Sequence, residues 1–521
     1  MSRFFWKSLA VLCLTGPLLP VAMGEQVSAI SADQLFAQGD FEAARQAYAG
    51  ASAKTPEEVA PRLGLVRALL RLDRWEQAQT EAQAASRKFP KNADAHGLLA
   101  LALIRAGWQP PYAAEAAESL TLDPGDYWGL VASGRAAEWD GRSEDARKLF
   151  RRASAARPDL PDALLGLLGA LGSRRDAAEA AGVASKYLAL HPRGQPHDRA
   201  VKVLSESRAD TGAQGTGEGT EGLADAQAGP ATLTVDFVGD SAIFPVTING
   251  VRFRLLFDTG GGGGILLNRD VARRLRLPVV AHTVVYGAHG HEDAEVFRAD
   301  TLALGGKVYR HPAVLAVGTA SDAADGILSG NVFSNSVLTL DFEQRKVTLT
   351  QGKAQAPAPL PSDRALVLPW RFYRGHLFVR VSLNTIPLWA MLDTGDSTTI
   401  LSLTLAAAQL KGLPKEQVHH AAVRSRKGSA IGSSNPQEEY IASRAESQVL
   451  LGTDPPAIIP IPTVGVSVLN RQVSPDFDFE IQMLLGMSSL TYARRVTFDY
   501  PRRLFTFEYR DPDTAPEPKK K

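Results

Sequence analysis

The chain has 521 residues and a single cysteine, and its 57 basic side chains balance 56 acidic ones to a net charge of +1. At roughly 100–200 residues per domain this length holds two to four domains, and 45% hydrophobic with 22% charged residues excludes a mostly disordered chain. The near-zero charge supplies no field for nucleic acid or anionic membrane, and one cysteine excludes an intramolecular disulfide and any multi-cysteine zinc site.

Residues 1–24 read as a secretory signal peptide. Arg3 and Lys7 give the positive start, Ser8–Leu19 is apolar, and Ala22-Met23-Gly24 supplies small residues before a cut at Glu25. The apolar run is too short to span about 30 Å of hydrocarbon, and Gly16, Pro17 and Pro20 interrupt it as a helix. Cys13 follows the large Leu12, where a lipid-attachment cysteine follows a small residue, so it belongs to the discarded segment. The expectation is an exported, periplasmic chain, cysteine-free when mature and without a transmembrane segment. Residues 511–521, ending in Lys519-Lys520-Lys521, read as a solvated basic tail.

Prolines at 56, 90, 124, 158 and 192 are evenly spaced. Alanines keep the same interval at 44, 78, 146 and 180, with Tyr112 at the missed position. The intervening residues are helix formers, and Gly39-Asp40, Asp73-Arg74 and Gly141-Arg142 divide each period in two. A helix–turn–helix period of about 34 residues resembles the tetratricopeptide repeat. The match covers residues 25–205, with degenerate third and fifth copies. Such units bury their faces only by stacking, so an N-terminal α-solenoid follows. Its concave groove implies binding of a protein partner or substrate; the competing reading is a spacer or domain-packing scaffold.

Residues 206–231 form the next segment. Asp210–Pro230 is mostly Gly, Ala, Thr, Asp, Glu and Gln without apolar periodicity, a flexible linker. Beyond it, runs such as Ile243–Ile248, Phe253–Phe257 and Val337–Asp341 alternate with period two, which predicts β-structure. This half is duplicated. The first copy reads Val246-Thr247-Ile248-Asn249-Gly250, Leu255-Leu256-Phe257-Asp258-Thr259-Gly260 and Ile265-Leu266. The second reads Val381-Ser382-Leu383-Asn384, Ala390-Met391-Leu392-Asp393-Thr394-Gly395 and Ile400-Leu401. One fixed offset, without a gap, carries Val246 to Val381, Asp258 to Asp393 and Ile265 to Ile400.

Two Asp-Thr-Gly triplets, each closing an apolar strand after a hairpin, resemble the pepsin/retropepsin superfamily of aspartic proteases with both lobes in one chain. The resemblance extends to an aliphatic pair with a glycine, Leu484-Leu485-Gly486 in the second copy and Ile327-Leu328-Ser329 in the first, where Ser329 replaces the glycine. Matching hairpins follow at Leu338–Phe342 and Val496–Tyr500. It implies an all-β two-lobed acid-protease fold, with lobe 1 at 232–355, an inter-lobe linker at 356–363 and lobe 2 at 364–510. The multidomain whole is thus α then β. The stretch from Asp393 to Leu484 is longer than that from Asp258 to Ile327, an excess assigned largely to a polar loop at Arg424–Tyr440.

The resemblance implies that Asp258 and Asp393 are a catalytic dyad. Two close carboxyls cannot both ionise cheaply, so they share a proton and supply base and acid together. Thr259 and Thr394 would then hydrogen-bond across the lobes, and Gly260 and Gly395 would let the loops approach the carboxyls. The hairpin loop from Tyr286 through Gly287 and His289 to Asp293 would be the substrate-binding flap. No metal or organic cofactor is implied. Gly261 and Asp396 follow the triplets where the family usually has Ser, Ala or Thr, and Asp396 is read as a solvated turn residue.

Other motifs carry less. Gly260–Gly264 has no Gly-Lys-Ser/Thr after it and so is no phosphate loop. His289-Gly290-His291 with Glu292 is read as a polar hairpin tip rather than a metal site, and His419-His420 would face opposite sides of a strand. The reading is an exported aspartic endopeptidase; the rival is a protease-like protein that binds peptides without cutting, or a scaffold.

Overall fold

The computed structural model describes residues 31–109, 111–171, 177–190, 200–201, 231–351, 363–402, 440–451, 457–467, 479 and 481–510, less short gaps such as 262–263 and 288–289. The first 24 residues, read above as a signal and containing Cys13, lie outside the described residues, as do the segment at 210–230, Ala354–Pro361, His419-His420, most of Arg424–Tyr440 and residues 511–521.

Among the described residues, five helix pairs build the first half: α1 (Ala32–Ala37) with α2 (Phe41–Lys54), α3 (Val59–Arg71) with α4 (Trp75–Lys88), α5 (Ala93–Arg105) with α6 (Tyr112–Leu122), α7 (Tyr127–Trp139) with α8 (Ser143–Ala156), and α9 (Asp162–Ala170) with α10 (Ala177–Ala189). Pro56, Pro90, Pro124 and Pro158 each stand just past the end of a second helix, where a missing N–H and a fixed φ prevent its continuation. Between the helices of a pair, Gly39, Asp73, Gly107 and Gly141 hold φ of +80°, +56°, +93° and +74°. Gly107 thus supplies the third repeat with the turn that the other pairs have at the same interval. Ala44, Ala78 and Ala146 are fully buried, which lets the paired helices approach closely. First helices stack in order, α3 on α5, α5 on α7 and α7 on α9. Among the described residues, no helix is long and apolar enough to cross a membrane.

In the second half, each triplet ends a strand with the same neighbours. Val251–Asp258 runs antiparallel to Ser241–Ile248 across the Asn249-Gly250 turn, and parallel to Gly326–Ser329. Gly326–Ser329 pairs antiparallel with Ile265–Asn268. In the second copy, Ile386–Asp393 pairs antiparallel with His376–Leu383 and parallel with Met483–Gly486, which meets Ile400–Ser402. The two lobes share a sheet. Ser336–Asp341 lies antiparallel to Arg495–Asp499, with Thr339 opposite Thr497 and their hydroxyls 3.0 Å apart. One apolar cluster, from Leu233 to Phe507, runs through both lobes.

The repeats pack directly on lobe 2. Ala100 and Ile104 of α5, Trp108 in the turn, and Ala132 and Trp139 of α7 form one core with Tyr373, Phe378, Met391, Ile400, Phe479 and Leu484. Trp139 stacks on Trp108 at 4.3 Å and meets Phe378 at 5.0 Å and Trp389 at 5.3 Å. Polar contacts rim this core: Arg371 to Asp140 at 3.1 Å, Arg503 to the Asp140 carbonyl at 3.1 Å, and Gln109 to Gln482 at 3.3 Å. Tyr112, at the missed alanine position, packs edge-on against Trp108. The degenerate third repeat therefore meets the other domain, together with α7 of the fourth.

Two outcomes follow from this packing. Trp139→Ala should cost about 3–5 kcal/mol, and hydrogen exchange should rise at Phe378, Met391 and Leu484 in lobe 2 as well as in α5 and α7. Asp126, the buried N-cap of α7, is pushed up to about 7 by burial and then by its hydrogen bond with the Asp94 carboxyl. A raised carboxyl favours folding while it stays protonated and loses that contribution as pH rises through its folded value. The wild-type melting temperature should thus fall between about pH 4 and 7, and Asp126→Asn, which keeps the cap, should flatten that fall.

Candidate active site

The two triplets meet where the lobes meet. Thr394 Oγ1 donates to the Phe257 carbonyl at 2.9 Å and accepts from the Thr259 amide at 3.0 Å. Thr259 Oγ1 donates to the Leu392 carbonyl at 2.8 Å and accepts from the Thr394 amide at 3.1 Å. Both threonines are 1% exposed, so these four bonds have no competition from water. They tie the residue before each aspartate to the opposite lobe.

The glycines permit the close approach that follows. A Cβ on Gly260 would fall 2.5 Å from the Asp393 carboxyl carbon, and one on Gly395 would fall 2.4 Å from that of Asp258. Each loop therefore presents bare backbone to the other lobe's carboxyl. Asp258 Oδ1 accepts the amides of Gly260 and Gly261 at 2.7 and 3.0 Å, and Asp393 Oδ1 accepts those of Gly395 and Asp396 at 3.0 and 3.1 Å. The half-buried carboxyls also hydrogen-bond to each other.

Burial raises Asp258 above the usual carboxylate range, against the hydrogen bond from Asp393 and the two amides. Asp393 is pushed well above that range by burial, then by the charge of Asp258 and by their shared hydrogen bond. The pair therefore keeps a proton at a pH where isolated carboxyls are ionised. Asp396 departs from the expected solvated turn residue: it is half-buried, and its charge adds to the rise at Asp258.

Of the residues singled out from the sequence, Asp258, Thr259, Gly260, Asp393, Thr394 and Gly395 come together at one point. Tyr286 and Gly287 lie at the end of strand Val279–Gly287, which pairs with Gly290–Arg298, while His289 lies outside the described residues. Glu292, beside His291, instead accepts the Gly318 amide at 2.5 Å. Among the described residues, no group of three or more His, Cys, Asp or Glu is placed to hold a metal.

One supporting residue is not evident from the motif alone. Thr399 is fully buried; its hydroxyl accepts the Gly486 amide at 3.2 Å and bonds the Ser489 hydroxyl. Gly264 holds the matching place in the first copy, with φ +81° and a carbonyl that accepts the Ser329 amide at 2.8 Å. A hydroxyl in one lobe and a carbonyl in the other thus anchor the strand beside each aspartate. The same offset that pairs the triplets also pairs Gly264 with Thr399, which is the signal that could have found it.

Residues 244–332 match the family model for aspartyl proteases, and residues 35–102 and 131–194 match two tetratricopeptide repeat models. No curated protein matches the chain significantly. Among solved structures, the aspartic proteinase from Irpex lacteus aligns at 13% identity over 55% of this chain and 99% of that one, with a TM-score of 0.38. A thermophilic TPR protein of Thermus thermophilus aligns at 19% identity over 33% of this chain and 95% of that one, with a TM-score of 0.28. Yeast Tom70 aligns at 17% identity over 36% of this chain and 40% of that one, with a TM-score of 0.27. At that level of similarity the domain assignment rests on the family models and the strand pairing.

The raised carboxyls make a stability test independent of any substrate. Near pH 3 the Asp393 carboxyl is neutral folded and unfolded; as pH rises, the unfolded chain ionises while the folded one resists, so stability is lost. Asp393→Asn should accordingly match the wild type in urea unfolding near pH 3 and exceed it at pH 7. N-terminal tetratricopeptide repeats are joined, in this one chain, to a C-terminal aspartyl protease domain.

Proposed function

We propose that the chain is an aspartic endopeptidase in which Asp258 and Asp393 activate water against a peptide bond. The observation that carries this reading is the pair of hydrogen-bonded, half-buried carboxyls clasped by reciprocal threonine bonds. With one shared proton, the ionised carboxylate takes a proton from water as the oxygen adds to the carbonyl carbon. The protonated carboxyl gives its proton to the carbonyl oxygen, producing a neutral tetrahedral diol. Collapse of the diol expels the amine, which takes a proton from the carboxyl that received one, while a diol hydroxyl gives its proton to the other carboxylate; the acid product forms and the dyad regains its single shared proton. Neither step calls on a metal or an organic cofactor.

The hairpin carrying Tyr286, Gly287 and His289 is assigned as the flap over bound peptide. The repeats serve first as a scaffold for lobe 2, since the faces of α5 and α7 are occupied by it. A partner or protein substrate would engage a cleft within the repeats that Phe36, Arg67, Arg71, Arg105, Trp128 and Asp162 line. The leader-like first 24 residues support export to the periplasm as the setting.

The full mature chain, incubated with a mixed peptide library from pH 3 to 8, should release new termini. Asp258→Asn and Asp393→Asn should each reduce cleavage at least 1000-fold (on the order of the losses seen when one member of a catalytic unit is removed). Peptide binding without cleavage at any pH, unchanged in both variants, would sink the enzyme reading and leave a peptide-binding protein.

A further inference from the structure

The two halves of the site differ in which residue puts a side chain beside the aspartate. In the second half Asp396, after the triplet, has one, while Gly486, the register partner of Asp393, has none. In the first half the pattern is reversed: Gly261 has none, and Ser329, the register partner of Asp258, has one. Ser329 is 1% exposed, and its Oγ has no hydrogen-bond partner among the described residues. A buried hydroxyl left unpaired is destabilising and uncommon in folded proteins.

The geometry shows what that hydroxyl faces. A Cβ at residue 261 would stand 3.1 Å from Asp258 Oδ2, 3.2 Å from Ser329 Oγ and 3.3 Å from Ile327 Cγ2. The hydroxyl and the carboxylate oxygen therefore border one spot, which has room for one side chain and not for two. Oδ1 of Asp258 already accepts the amides of Gly260 and Gly261, so Oδ2 is the oxygen that shares this spot with the Ser329 hydroxyl.

We infer that Ser329 is a positioning residue whose hydroxyl donates to Asp258 Oδ2, through one water or after rotation about its Cα–Cβ bond, in place of the side chain that residue 261 lacks. This rests on the reading of Asp258 and Asp393 as the dyad. Donation to a carboxylate favours its ionised form, which leaves the shared proton on Asp393 and makes Asp258 the base. The carboxyls that face Asp258 are those of Asp393 and Asp396, and the charge of Asp396 works against the hydroxyl.

Carboxyl carbon NMR titration of the full chain, with aspartate labelled and Asp258→Asn and Asp393→Asn used for assignment, reads this bond without substrate. Ser329→Ala should move the Asp258 titration to higher pH and lower kcat/KM about tenfold on the acid side, with recovery as pH rises. Gly261→Ser alone should crowd Ser329 and lower the melting temperature. The combined Gly261→Ser/Ser329→Gly exchange should regain both the stability and the Asp258 titration, because it restores one hydroxyl to one space. An unchanged titration in Ser329→Ala, or an exchange no better than Gly261→Ser, overturns the inference. If the titrations move as expected in a chain that cleaves no peptide, Ser329 keeps its role and the protease reading alone fails.

Discussion

Two carboxyls held side by side and partly out of water repel each other and lose hydration, so other contacts must hold them together. Here the holding contacts are the four reciprocal bonds of Thr259 and Thr394. Each hydroxyl both donates and accepts across the lobe boundary, so the lobes cannot separate without breaking all four buried bonds. The shared sheet works in the same direction, since Ser336–Asp341 and Arg495–Asp499 fix the lobes in register below the site. The glycines contribute by what they lack: any Cβ at 260 or 395 would occupy the space of the opposing carboxyl. The arrangement therefore needs both copies of the motif, and a single lobe holds only half of each contact.

Much of this is legible in the sequence because its signals are local or repeated. Prolines at a constant interval fix the helix ends, and the triplets at a constant offset fix which residues meet. The third repeat reads as degenerate because Trp108, with Tyr112 packed on it, answers to Tyr373 and Phe479, far along the chain, as well as to Trp139 of the next repeat. No local pattern records such a contact. Ser329 has the same character: alone it looks like a departure from the glycine, and it acquires a meaning only when Gly261 is found beside it in space. Asp396 reads as a solvated turn residue because sequence spacing does not tell which way a turn faces.

The docking of the repeats on lobe 2 has a counterpart in lobe 1 that gives it a physical reason. Behind each aspartate-bearing strand lies a second apolar layer, to which Ile327 belongs in lobe 1 and its counterpart Leu484 in lobe 2. In lobe 1 this layer, with Leu266, is covered by Ala294, Val317 and Ala320 from the lobe's own later strands and turn. In lobe 2 the layer, with Met391 and Ile400, is covered by Trp108, Trp139, Ile104 and Ala132 of the repeats. An apolar layer of that size left in water would be a site of aggregation or association, so lobe 2 as described is completed by the helical half. The aromatic residues suit this task because they bury large areas without needing the backbone register that a strand would require. Met391 lies two residues before Asp393, on the same face of its strand. The repeats thus press on the face from which the second carboxyl projects, which makes them part of the structure that holds the dyad rather than an appendage to it.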